Sequence, residues 1–463
     1  MAQSTDRETW VTEDAVRSLS ERLQDPASLV GRRREALERF RVLPLEPNPL
    51  YQKYGYFSGV DLAGLDLVAT GPELPRPVVG DRTVQVIHDA AGSHITLSPE
   101  LQEAGVSVRD LRALWADGGD AALRFSGHSA GFTDRLTALG AATLNRGYSL
   151  DLPAKLKFPV RLQDISVLSR PREALSVHRQ IAVGAGSSLL ATEELFSTAT
   201  PVDGQRLYAS STNVDVGPDG RADFLGVHAP DSKAISVYTR SGAVGDRGRL
   251  TWMWNGFDGF RTKLRTHTRL PGNGSHAEDL QTFLGSGGAS YDSSVQITHI
   301  GTDTYGQSIT RGVFRDESRG MSRGLVRIEH EARKTLSFLS EHAMLLSRGA
   351  RSDTIPVLEI LCRDVKATHS SSVAPVDPEK IFYLESRGIP LDASIRMIGE
   401  GFLSHVLERS PIPQLREALY PHLAARWEGR PISWAAEALP SLPALQSSGA
   451  DATTDWRFDA KLR

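Results

Sequence analysis

The sequence predicts a mainly β protein with a helical region at each end. Three observations carry that prediction. Between about Tyr148 and Asp364, short apolar runs alternate with period two, and no long helical periodicity interrupts them. Gly, Asn, Asp and Ser punctuate those runs, as at Gly217-Pro218-Asp219-Gly220 and Pro271-Gly272-Asn273-Gly274. Apolar residues at helical spacing flank the zone on both sides, at Val16, Leu19 and Leu23 and again at Ile395, Ile398, Phe402 and Val406. Period-two alternation marks half-buried strands, and the punctuating residues are those that tolerate tight turns.

The elements follow in order. Residues 1–145 form the first region, helical with loops. Thr12 is placed to cap a helix that Pro26 should end, and Arg32 to Phe40 forms a second, with Arg32-Arg33-Arg34 on its exposed face. Residues 43–86 are rich in Pro and Gly and read as extended connection. Val108 to Ala116 and Phe132 to Leu144 are two further short helices.

Residues 146–368 form the β core, with inward pairs such as Leu175/Val177, Ile181/Val183, Ile235/Val237, Trp252/Trp254, Val295/Ile297 and Val326/Ile328. This pattern fits a sandwich, a barrel or a β-solenoid, and no strict repeat chooses among them. Residues 369–436 form the C-terminal helical region. A helix starts at Pro378 and Glu379 and is broken by Gly388 and Pro390. Asp392 then caps a helix whose apolar face is Ile395, Ile398, Phe402 and Val406, and Leu415 to Trp427 is the last. Residues 437–463, rich in Ala, Ser and Pro, are expected to be disordered.

Composition narrows the function. The chain has 463 residues, 40% hydrophobic and 24% charged, with net charge −3. That suits a soluble globular protein and gives no bias toward nucleic acid or anionic membranes. No run approaches the ~18 apolar residues of a membrane helix. The acidic N-terminus, MAQSTDRETWVTED, lacks the apolar core of a signal peptide, so the expected location is the cytoplasm. One cysteine, Cys362, makes no intrachain disulfide and no thiolate cluster.

Several motifs invite chemistry. Gly127-His128-Ser129-Ala130-Gly131 spells the nucleophile elbow of a serine hydrolase. The residues before Ser129 make a poor central strand, and the downstream chain lacks βα units, so a loop entering a helix is the better reading. His330-Glu331 opens a zincin-like motif, but Lys334 stands where the second histidine belongs, which leaves a solvated strand end. Gly285 to Ser290 lacks the Lys-Ser/Thr of a phosphate loop and reads as a corner. The alternation Arg261, Lys263, Arg265, His267, Arg269 makes one basic strand face, read as solvated or as contact for an acidic partner or a bound anion. His369 stands alone in an expected turn; imidazole ligates iron and titrates near neutrality.

Pro356 to Ile389 is the most specific stretch. Leu358-Glu359-Ile360, Asp364-Val365-Lys366, His369 and Phe382-Tyr383-Leu384-Glu385-Ser386-Arg387-Gly388-Ile389 resemble the C-terminal signature of the SufB/SufD family of iron–sulfur cluster assembly proteins, nearer to its SufD-type pattern. Weaker similarities occur in the right order upstream: Asp134 to Leu144, Leu152-Pro153, Phe158-Pro159-Val160, His299, and Arg311 to Gly324. Asn48 to Tyr54 matches loosely.

The resemblance implies a right-handed parallel β-helix flanked by helical regions. It implies a non-catalytic scaffold that pairs through the end of its β-helix with a SufB-like protein, or with itself. A SufC-like ATPase would dock on the C-terminal helices, around Phe382, Tyr383, Ser386, Arg387 and Phe402. His369 would sit at the pairing interface as an iron ligand, beside a transient iron–sulfur cluster that this chain alone does not hold stably. Two departures stand out. The family's Cys-x-His-Gly reads Ala367-Thr368-His369-Ser370 here, and Ser370 occupies the position of the glutamate in SufB-type chains.

Overall fold

The structure, a computed structural model, describes residues 10–46, 59–67, 70, 80–110, 134–198, 203–257 and 259–430. Two N-terminal helices, α1 (Glu13–Leu23) and α2 (Ala27–Val42), open the described chain. They are followed by β1 (Thr83–His88), β2 (Ser93–Leu97), α3 (Pro99–Glu103), β3 (Ser107–Asp110) and α4 (Arg135–Ala142).

Sixteen strands come next: β4 (Arg146–Leu152), β5 (Val160–Leu168), β6 (Ala174–Val183), β7 (Ser188–Ser197), β8 (Arg206–Val216), β9 (Arg221–Ala229), β10 (Ala234–Val244) and β11 (Arg249–Gly256). β12 (Arg261–Leu270), β13 (His276–Gly285), β14 (Ser290–His299), β15 (Tyr305–Phe314), β16 (Arg319–Ile328), β17 (Thr335–Leu345), β18 (Arg351–Ile360) and β19 (Val365–Pro375) complete the set. α5 (Pro378–Ser386), α6 (Leu391–Leu407) and α7 (Arg416–Trp427) close the described chain.

Alternate strands go to alternate sheets, each strand pairing in parallel with the one two places on. The result is a parallel β-solenoid of about eight coils. One coil takes roughly thirty residues, as the registers Arg261↔Ser290 and Ser290↔Arg319 show. The mainly β class, the solenoid and the helices at both ends match what the sequence and its resemblance imply.

The coils are held in register by a corner with a common backbone. Lys155, Asp219, Arg247, Asp303 and Lys334 are all left-handed non-glycine residues, at φ between 54° and 61°. Gly186 and Gly274 hold the same place in their coils. Each N–H in this column bonds a carbonyl of the next coil: Asp219 to Asp246, Arg247 to Asn273, Gly274 to Thr302, Asp303 to Arg333. In the five coils from Gly186 to Asp303 a glycine stands two residues earlier, because the coils touch there. A Cβ on Gly301 would lie 2.6 Å from the carbonyl oxygen of Gly272.

Inside, Phe224, Leu250, Trp252, Val295 and Ile297 fill the space between the sheets. Both outer faces are covered too. α6 and α7 lay Leu403, Val406, Leu419 and Leu423 on Leu225, Met253, Leu280, Ile309 and Val313. α4 lays Leu136 and Leu139 on Leu207, Ile235 and Val237, backed by Leu19, Leu37 and Phe40. No described helix is long and apolar enough to cross a membrane.

Several expectations need correction. Within the stretch read as connection, Thr83–His88 is a strand paired with β5. Val108 lies on a strand paired with β4, not on a helix. Arg33 is not on an exposed face: it is buried, pairs with Asp25 at 2.7 Å and donates to the Ala142 carbonyl. The basic face of β12 is not solvated at Lys263 and Arg265, although Arg269 at its end is exposed. Lys263 lies 3.5 Å and Arg265 2.8 Å from Asp134, which caps α4, and Arg265 also reaches Glu46. His330 lies in a solvated turn just beyond β16. Asp392 does not cap α6; it lies in the first turn, after Pro390. The buried face of α6 is Ser394, Gly399, Leu403, Val406 and Leu407, one step round from the expected one. The strand region runs on to Pro375, past the expected boundary at 368. Ser129, Asn48 to Tyr54 and the tail 437–463 lie outside the described residues.

Candidate functional site at the open end of the solenoid

His369 lies in the middle of β19, not in a turn. Its ladder partner is Leu339, which is buried in the last interior cluster with Val326, Ile328 and Ala332. His369 therefore occupies the inward-facing row of the terminal coil. No further coil covers that row among the described residues, so the imidazole is exposed. It has no hydrogen-bond partner among them. Ile360 and Leu361 are each 42% exposed at the same end, and Val373 is 38% exposed.

A carboxyl lies directly beneath this row. Glu341 pairs with Ser371, two residues from His369 on the same face. Ser322 donates to Glu341 Oε1 at 2.6 Å, while the buried Oε2 has no partner. Burial pushes this carboxyl up to about 7, against the lowering by the Ser322 hydrogen bond and by Arg323. Thr310 Oγ1, one coil deeper in the same row, is also buried without a partner. The sequence reading missed Glu341. Its signal was the alternation Leu339, Glu341, Ala343, which sends the carboxylate inward with two apolar neighbours.

Metal capacity at this end is limited. No group of three or more His, Cys, Asp or Glu side chains among the described residues is arranged to hold a metal ion. Cys362 is half-buried between β18 and β19 and packs against the last interior cluster. Among the described residues of this end, the exposed imidazole of His369 is a lone donor and makes no metal site by itself.

The model of the SufBD core domain, of the SUF system for iron–sulfur cluster assembly, matches residues 167–402. The chain belongs to the SufBD family. It is similar to the iron–sulfur cluster assembly protein SufD of Bacillus subtilis strain 168, with 28% identity over 423 residues, 88% of this chain and 96% of that one. A SufBD family protein of Staphylococcus saprophyticus is 20% identical over 436 residues, 88% of this chain and 90% of its own. One from Mycobacterium leprae is 22% identical over 266 residues, 58% of this chain and 30% of that protein.

The remaining candidates of this SufBD chain lie on the C-terminal helices. Phe382 is 74% and Tyr383 57% exposed on α5, although α5 packs on α6. Arg387 stacks over Tyr383 at 5.0 Å, and Ser386 donates to the Tyr383 carbonyl. These four side chains form one exposed surface. Phe402 does not join it: it is half-buried on the inner side of α6, beneath the guanidinium of Arg311.

Proposed function

We propose that this chain is a SufD-type scaffold subunit, working with a SufB-like protein and a SufC-like ATPase to build iron–sulfur clusters. The observation that carries this reading is the uncapped terminal coil with His369 exposed in its inward row. An uncovered end of a solenoid is a template for another chain, and a second solenoid end is its natural complement. A SufB-like partner would close this end, or a second copy where that partner is lacking. The cluster would be transient at the interface, with thiolates from the partner and one imidazole from His369. This chain has a single cysteine and would not hold a cluster by itself. The exposed surface of Phe382, Tyr383, Ser386 and Arg387 would dock the ATPase. The subunit itself would catalyse nothing and would need neither nucleic acid nor membrane.

Co-purification tests the partnerships: the tagged chain should bring both proteins from its own cells, and recovering neither would refute the assembly. His369→Ala tests the chemistry. Cluster delivery to client enzymes in vivo should collapse while the complex still forms. A second reading is favoured by Ala367, which replaces the family's cysteine: a scaffold that has lost cluster chemistry. Normal cluster delivery by the His369→Ala chain would select it.

A further inference from the structure

The outer face of the solenoid carries a cation with no counter-charge. Arg311 stands in an outward column of β13, β15, β17 and β19 that reads Thr282, Arg311, His342, Ser372. α6 packs on β13 and β15, and its Phe402 ring lies 5.0 Å from the Arg311 guanidinium. The half-exposed His342 lies beside this helix, not under its apolar face. Arg311 Nε is buried without an acceptor, and no hydrogen bond or carboxylate partner to Arg311 occurs among the described residues.

Other outward arginines differ. Arg409 donates to Glu278 and Gln307, Arg323 reaches Glu46 and Asp292, and Arg265 reaches Asp134. Around Arg311 the neighbours are instead two more basic groups, His342 and His405, with Ser370 and Ser372 one strand further on, beyond His342. His342 and His405 both feel its charge, after burial, as the next cause of their lowered basicity. The His342 ring bridges Ser372 Oγ at 2.6 Å and Ser370 Oγ at 3.3 Å.

A half-buried, unpaired guanidinium is costly unless something completes it. Its planar fork suits an oxyanion, and the imidazole of His405 lies near enough to feel the same charge. We propose that Arg311 and His405 form an oxyanion site, bordered by the His342 ring that Ser370 and Ser372 hold in place. Its occupant is an aspartate or glutamate side chain of the ATPase docked on α5 and α6. The oxyanion chemistry stands on the geometry; the occupant rests on the docking proposed above. Charge complementarity selects a carboxylate, and Phe382 and Tyr383 supply the neighbouring apolar anchor.

The test uses the full chain as wild type, Arg311→Gln and Arg311→Lys, with calorimetric titration of the ATPase and, separately, of inorganic phosphate. Chloride at matched ionic strength controls for screening. Because Arg311 has no hydrogen-bonded or carboxylate partner among the described residues, and loses only its contact with the Phe402 ring, Arg311→Gln should lower the thermal midpoint by no more than a degree or so, about the effect of one exposed cation–π contact. It should weaken ATPase binding about ten- to hundredfold, the value of one charge-assisted contact. Arg311→Lys should retain most of the affinity, and phosphate should compete on the wild type alone. Phosphate binding lost in Arg311→Gln with ATPase affinity unchanged keeps the oxyanion site and makes its source a free oxyanion. Wild-type behaviour of Arg311→Gln in both titrations overturns the proposal. If the ATPase binds no version, the docking reading fails separately. The phosphate titration then decides alone: binding abolished by Arg311→Gln upholds the site, and no binding to the wild type overturns it.

Discussion

The two ends of the solenoid are built on opposite rules. At the first end, β2 and β3 run antiparallel to their neighbours and stop the parallel stacking, and α3 brings in the buried Leu101. The interior there is closed over a buried ion pair. Asp164 takes hydrogen bonds from Arg179, at 2.6 and 2.7 Å, and from Tyr148 at 2.7 Å. At the last end nothing described stops the stacking, and β19 is mostly exposed. Its inward row presents His369, Ser371 and Val373 where the first end presents a closed salt bridge. The same coil geometry thus ends in a cap on one side and, among the described residues, in an uncovered coil on the other. What differs is whether an antiparallel strand terminates the parallel stacking.

The sharpest way to break this contrast is a substitution at the closed end. Burial pushes the Asp164 carboxyl up, but Arg179 and its hydrogen bonds hold it well below the usual range. Asp164→Ala leaves the buried Arg179 with only a 3.5 Å contact to Glu193 in place of its two-pronged pair, so it should cost about 3–5 kcal/mol in urea unfolding. A loss under about 1 kcal/mol would mean that this end is not the stability anchor.

Glu341, near the open end, should show the opposite sign. Burial pushes its carboxyl up to about 7, so the folded state holds the proton longer than the unfolded chain does. Stability from this group is complete below the unfolded value and falls as pH rises through that window, by on the order of 3 kcal/mol. Glu341→Gln should flatten that fall and raise the thermal midpoint at pH 8. An unchanged slope between pH 5 and about 7.5 would show that another group carries it.

The remaining two predictions concern the uncovered row. Val373→Lys puts a charge on a position that is already 38% exposed. Stability should shift by under about 0.5 kcal/mol, while co-purification of the SufB-like partner is lost. The smallest effect belongs to His369→Ala, whose thermal midpoint should match the wild type because the imidazole has no described partner to lose. A midpoint several degrees lower would make His369 a structural residue.

Much of the fold was legible locally. Pairs such as Leu250/Trp252 and Val295/Ile297 show period two and do lie inside. Gly217 to Gly220 and Pro271 to Gly274 do mark corners. The repeat itself was not legible, because the corner column is conserved in backbone and not in side chain. Lys155, Gly186, Asp219, Arg247 and Gly274 share one left-handed conformation with little chemical likeness. His369 was visible as a lone imidazole, but its strand setting was not, since Ser370 to Ser372 read equally well as a turn.

By itself, then, the amino-acid sequence determined the mainly β class, the helical flanks, the family signature and the shortage of thiolates, because these depend on residue type and local spacing. Only the tertiary structure decided that the β12 cations meet Asp134 and Glu46, that Glu341 lies beneath Ser371, and that Arg311 is left without a carboxylate. Those facts arise when coils about thirty residues apart stack and when chain segments hundreds of residues apart lie on their faces. No local pattern encodes which charges such packing pairs and which it leaves alone.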